Sequence, residues 1–241
     1  MKKKVLTIAL AIALIAIMVS GSLAYFTSQD EVTNTFTIGS VEIEIWENNA
    51  PTDEDQMVFE KPLMPIVNVQ APAEDESYIP KVVKVENTGL NAAYIRVHIA
   101  QPVALLGYLE LDADATGWSR LPTTTRATVD GVEYIVVTYD YQTAVDPSQF
   151  TPELLKGAYL PAFVDLKENA DGDLEFCKPD DNGGYEFSGF VAHEANGDGT
   201  YTSKTVNVLV AAQAIQTRGF ENGTVTAALN AGFGENTNPW Q

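Results

Sequence analysis

Apolar and polar residues alternate with a period of two over much of this chain. Val41, Ile43 and Ile45 take turns with Glu42, Glu44 and Trp46, which predicts a half-buried strand with an acidic outer face. Val82-Val83-Lys84-Val85 runs into the turn cluster Asn87-Thr88-Gly89. Ile95, Val97 and Ile99 then alternate with Arg96 and His98, so the second pair is expected on a solvated polar face. Asp130-Gly131 is a two-residue hairpin signal leading into Tyr134–Tyr141, rich in β-branched and aromatic residues. Tyr185–Val191 and Thr205–Val210 predict further strands, with turns at 169–173 and 196–199.

Helical signals are few. Thr151-Pro152-Glu153-Leu154-Leu155 predicts one capped helical turn, with Thr151 as N-cap and Pro152 at the first position. Thr224–Ala231 predicts a second short helix. Many strands at short, uneven spacing give an all-β expectation: a jelly-roll-like β-sandwich with one or two short helices. No internal repeat or Pro/Gly/Ser-rich linker interrupts residues 40–241, which read as a single sandwich domain.

The first 24 residues follow another pattern. Lys2-Lys3-Lys4 precedes Val5–Val19, fifteen uncharged residues in which Thr7 alone is polar. As a helix they would span about 22 Å, short of the ~30 Å hydrocarbon core. Small residues follow, with Ser22 and Ala24 at the two specificity positions of a cleavage site before Tyr25. Residues 1–24 therefore read as a secretory signal. The competing reading is an uncleaved anchor prolonged through Leu23–Phe26.

Charge narrows the function classes. The whole chain carries 14 Lys+Arg against 33 Asp+Glu, a net charge of −19, and without residues 1–24 the net charge is −22. No basic surface can dominate at that balance, so a partner held by counterion release from nucleic acid is excluded. With 45% apolar residues the chain can still bury a sizeable core. Cys177 is the one cysteine, so no internal disulfide can form.

Two histidines leave little room for metal or acid–base chemistry. His193-Glu194-Ala195-Asn196-Gly197 supplies the opening pair of a zinc-peptidase helix, but Gly197 stands where the second imidazole belongs. Lys178 beside Cys177 could lower a thiol pKa, yet a catalytic cysteine also needs a positioned base. The turns at 169–173, 180–183 and 196–199 are rich in oxygen ligands without EF-hand spacing. No catalytic residue, metal ligand or cofactor site is assigned; weak Ca²⁺ binding by these acidic turns is the one ion chemistry left open.

Gly21-Ser22-Leu23-Ala24-Tyr25-Phe26-Thr27-Ser28, followed by Asn34-Thr35-Phe36 and Gly39, forms a distinctive block. Lys84-Val85-Glu86-Asn87-Thr88-Gly89, Ala93-Tyr94-Ile95-Arg96-Val97, Ala211–Gln216 and Ala227–Phe233 add looser ones. Together they resemble the TasA/camelysin (CalY) family of exported proteins processed by the signal peptidase SipW. The resemblance implies a jelly-roll core, processing by a SipW-type peptidase, and residence in the extracellular matrix or at the cell surface. It also implies fibres in which the processed N-terminal segment completes a neighbour's sheet. The metalloendopeptidase label carried by some relatives finds no matching ligand set in these residues.

The residues support the same assembly mode independently. Within the segment 25–39, Val32, Asn34, Phe36 and Ile38 recur at a strand period, in a stretch rich in strand-favouring types. A freed strand can add to an exposed sheet edge, and a head-to-tail contact of this kind generates a filament. The expected partners are other copies of the chain and the signal peptidase, with membrane contact only before cleavage. A segment that instead forms the first strand of its own sandwich is the competing reading. It would leave a monomeric surface adhesin binding through the long loops 48–65 and 111–122.

Overall fold

The computed structural model describes residues 27–30, 41–48, 50–51, 56–58, 63–220, 223–235 and 238–240, with backbone alone for 27–30 and 56–58. The strands form three antiparallel sheets. The first has seven strands: β1 (Thr27–Asp30), β4 (Gln56–Val58), β6 (Ala93–Pro102), β8 (Trp118–Arg120), β9 (Thr125–Val129), β10 (Val132–Tyr141) and β16 (Asn207–Gln216). Its main path runs β1-β16-β6-β10-β8, with β4 also on β16 and β9 also on β10. The second has the order β3 (Ala50–Pro51), β2 (Ile43–Glu47), β5 (Ile79–Asn87), β11 (Leu155–Tyr159), β7 (Glu110–Ala113). The third is the meander β12 (Asp165–Glu168), β13 (Leu174–Pro179), β14 (Tyr185–Ala195), β15 (Tyr201–Ser203).

One core joins these layers. Ile43, Ile45, Val83, Val85 and Leu155 from the five-stranded sheet, with Val41 just ahead of β2, cluster with Ile95, Val97, Ile99, Val208, Val210 and Ala212 from the seven-stranded sheet. Phe176 and Ala192 extend the same cluster into the meander. Each such aliphatic side chain removed from water contributes on the order of 1.5–3 kcal/mol, and the period-two pattern supplies them from one face of each strand. The hairpin at Asp130-Gly131 forms as its sequence predicts, with φ of +51° and +81° at the two positions and β9 pairing β10 across it.

The helix α1 (Val225–Phe233) begins at Thr224, whose side chain accepts a hydrogen bond from Ala227 N. The predicted turn at Thr151–Leu155 is not helical. Thr151 N donates to Val85 O at 2.9 Å, its Oγ1 accepts from Val85 N at 3.0 Å, and Leu154 N donates to Val83 O. The segment thus lies extended along β5 and passes into β11. Ladder bonds to a buried neighbour override the local capping signal.

Half of the loop expected over 111–122 is strand, since β7 and β8 fall within or across it. Of the loop expected over 48–65, the described part includes β3 and β4.

Candidate functional site

β16 is the element on which the N-terminal part of the chain converges. Its sequence, Asn-Val-Leu-Val-Ala-Ala-Gln-Ala-Ile-Gln, has no charge, and nine of its ten residues are buried. A continuous apolar and small-residue run of this length is what a strand covered on both faces and both edges requires. One edge is held by β6 over eight pairs, Leu209↔Ala100 through Gln216↔Ala93. The other edge is shared by two separate segments. β1 pairs antiparallel over Thr27↔Ile215, Ser28↔Ala214, Gln29↔Gln213 and Asp30↔Ala212. β4 pairs over Gln56↔Leu209, Met57↔Val208 and Val58↔Asn207. Val210 and Ala211 lie between the two and have no strand partner on that edge among the described residues.

The two faces of β16 differ. Val208, Val210, Ala212 and Ala214 enter the common core. On the opposite face Leu209 packs with Ala100, Tyr134 and Val136, and Ile215 packs with Val225, Ala228 and Leu229 of α1. Between these patches lies a buried polar layer. Arg96 donates to both carboxylate oxygens of Asp140, from Nε at 2.7 Å and Nη2 at 3.1 Å, with both side chains fully buried. The same guanidinium donates to Asn230 Oδ1 at 2.7 Å and to Gly234 O at 3.0 Å, closing the C-terminal end of α1.

His98 sits one step along. Its Nε2 is 3.2 Å from Gln213 Oε1 and its Nδ1 is 2.9 Å from Thr138 Oγ1. With the Gln213 carbonyl as acceptor, Nε2 carries the proton and Nδ1 accepts from the hydroxyl. Burial, reinforced by the Arg96 cation, pushes the imidazole pKa down to about 4, against the opposing bond to Gln213 and the Asp140 charge. Gln213 Nε2 is buried without a hydrogen-bond partner among the described residues, and its strand partner on the outer edge is Gln29.

The expectation of a solvated face for Arg96 and His98 is therefore overturned: both are fully buried. Period-two alternation reports which residues share a face, and it is silent on what covers that face. Here α1 and the C-terminal Trp240 cover it. The visible signal was Asp140, at the same period on β10 and directly opposite Arg96 in register. An ion pair held by further hydrogen bonds, here from Arg96 to Asn230 Oδ1 and Gly234 O, is what allows charge on a covered face. The edge role of β16 was missed because Thr205–Val210 is only the first part of an apolar run that continues to Gln216.

The other sequence candidates separate from one another. Ser22, Ala24 and Tyr25, and Val32, Asn34, Phe36 and Ile38, lie outside the described residues. From the same leading segment, Thr27–Asp30 pairs with the β16 of its own chain, the arrangement that the competing reading, a first strand of its own sandwich, expects for that stretch. His193 stands on β14 in the meander, with Nδ1 2.9 Å from Ser203 Oγ, whereas His98 belongs to the seven-stranded sheet. Among the described residues no three His, Cys, Asp or Glu side chains gather as a metal would require.

Cys177 is fully buried, and its thiol pKa is raised, first by burial and then by Asp165. The neighbouring Lys178 does not activate it. In the acidic turns the oxygens organise their own backbone. Asn169 Oδ1 accepts from Asp171 N and Asp173 N, Asp180 Oδ1 from Asn182 N and Gly184 N, and Asp198 Oδ1 from Thr200 N. These are hairpin-stabilising Asx contacts.

No family model matches this chain, and no curated protein matches it.

Proposed function

We propose that the chain is an exported structural protein whose copies join head to tail by lending the N-terminal strand to the β16 edge of the next copy. The carrying observation is that pairing: Thr27–Asp30, a few residues beyond the expected cleavage site, holds the outer edge of β16 by four strand pairs. An edge strand that precedes all other described strands can leave and be replaced by the same segment of a neighbour without threading any other element. The hydrogen bonds lost within one chain are regained between two, so the exchange is nearly balanced and concentration decides it.

In this reading residues 1–24 direct export and hold the segment at the membrane, and a SipW-type peptidase frees it after Ala24. The product belongs to the extracellular matrix or the cell surface and has no catalytic role. The two larger sheets form a jelly-roll-like sandwich, a reading supported by their shared core and by the way the chain alternates between them from β4 to β8. The TasA/camelysin resemblance agrees with this mode and rests on the residues quoted for it.

The test compares the chain starting at Tyr25 with a variant lacking residues 25–38, by light scattering and electron microscopy over a range of salt. Net charge of −22 per copy opposes packing of like chains and is screened over about 8–10 Å near physiological salt. Fibres are expected from the first protein, growing faster as salt rises, and a stable monomer from the second. A monomeric adhesin would give no fibres from either at any salt, and that result would defeat the proposal.

A further inference from the structure

We infer that β4 is a placeholder on the joining edge. Gln56–Val58 holds the Asn207–Leu209 end of β16 in the single chain, and a neighbour's incoming strand displaces it. This inference rests on the strand-exchange reading above and adds to it a defined length for the joining surface and an element that guards it.

Along β1 each step forward meets a step back on β16, from Thr27↔Ile215 to Asp30↔Ala212. A strand continued in that register carries residues 31 and 32 onto Ala211 and Val210, and residues 33–35 onto Leu209, Val208 and Asn207. The last three are the residues that β4 holds. Both segments run antiparallel to β16, so one can replace the other with the same backbone pattern, and they cannot sit there together.

Chemistry favours the longer occupant. Among the described residues Val210 and Ala211, buried at 3% and 2% exposure, lie between the two segments and have no strand partner on this edge. A continuous donor from Thr27 to Thr35 in the register of β1 would pair the nine positions from Ile215 to Asn207 as one strand, where the described pairs of β1 and β4 divide the edge into four and three. Its segment Glu31-Val32-Thr33-Asn34-Thr35 has three β-branched residues, whereas Gln56-Met57-Val58 has one. On the strand-exchange reading the occupant is the segment 27–35 of a second copy, and β4 retards joining until copies are concentrated enough to supply it.

A cysteine pair at the register partners Val58 and Asn207 tests this, because the one native thiol, Cys177, is buried. In the chain starting at Tyr25, V58C/N207C is followed by light scattering, oxidised and then reduced. Oxidation should slow growth at least tenfold, and reduction should restore it. A second variant, Met57→Pro, weakens the three-residue pairing without needing a disulfide and should speed growth severalfold. Assembly that still requires residues 25–38 but ignores both variants would overturn the placeholder and leave strand exchange standing. Assembly that persists without residues 25–38, or none from the parent chain, would overturn both.

Discussion

At the scale of single residues the most consequential feature is His98. Its folded pKa of about 4 lies below the ordinary 6.5, chiefly because burial disfavours the charged ring. The groups facing it on the same covered layer are Arg96 and Asp140, with Thr138 and Gln213 as hydrogen-bond partners. Above pH 6.5 the ring is neutral in both states, and its contribution to stability is fully present. As pH falls from 6.5 toward 4 the unfolded chain takes a proton that the folded chain refuses, so stability drops.

The loss approaches ~1.4 kcal/mol per pH unit and on the order of 3 kcal/mol across the window. Urea unfolding between pH 6.5 and 5, above most carboxylate titration, should show this slope in the parent protein and a much flatter one in His98→Gln. Equal slopes would remove His98 from the account. The residue pattern of β6 gave the partition into two faces, and it could not give their environments. The alternation of Ile95, Val97 and Ile99 with Arg96 and His98 is the same whether the second face meets water or a helix. Only the matching alternation of Thr138 and Asp140 on β10 distinguishes the cases, and pairing β6 with β10 is a long-range event.

At the scale of elements, strands whose identity depends on their own residues were readable, and strands made by their neighbours were not. β2, β5, β6 and β10 follow from periodicity and the Asp-Gly turn, and the helix expected over Thr224–Ala231 is present as α1. Thr151-Pro152 carries a good local helix signal, yet the chain there lies against β5 because Val83 and Val85 offer unpaired ladder groups. β11 depends on close backbone approach as well. A Cβ at Gly157 would strike the Tyr78 ring and lie 2.5 Å from Ile79 O, at the point where the β11 register shifts. Tyr78 cannot easily yield, since it stacks on Tyr159 and its hydroxyl donates to Asp112 Oδ2 at 2.8 Å. Gly157→Ala should therefore cost roughly 1–3 kcal/mol, read in thermal unfolding as a Tm lower by roughly 2–12 °C. An unchanged Tm would mean that the two strands separate more readily than this packing implies.

At the scale of the whole molecule, acidity, burial and topology bear on one another. The chain concentrates negative charge on its surface while β16, the strand that meets the N-terminal segment, carries none. Joining there buries backbone and small apolar groups and requires no ion pairs, so the like charge of two copies acts at longer range, where salt can screen it. The candidate edge was not legible beforehand. The strand-favouring residues of the leading segment, Val32–Ile38, lie outside the described residues, β1 itself reads Thr-Ser-Gln-Asp, and no local pattern links it to partners about 180 residues further along.

Strand exchange requires that Thr27–Asp30 of one copy can take its place on β16 of another, and disulfide trapping between copies reads this out. Ser28 and Ala214 are register partners. One preparation of the chain starting at Tyr25 carries Ser28→Cys alone, a second carries Ala214→Cys alone, and the two are mixed under assembly conditions and oxidised. The account predicts a covalent heterodimer that accumulates with fibre growth and is absent when either preparation is oxidised by itself. If S28C and A214C crosslink only when both stand in one chain, and never across the mixture while fibres form, the strand stays at home and the account is wrong.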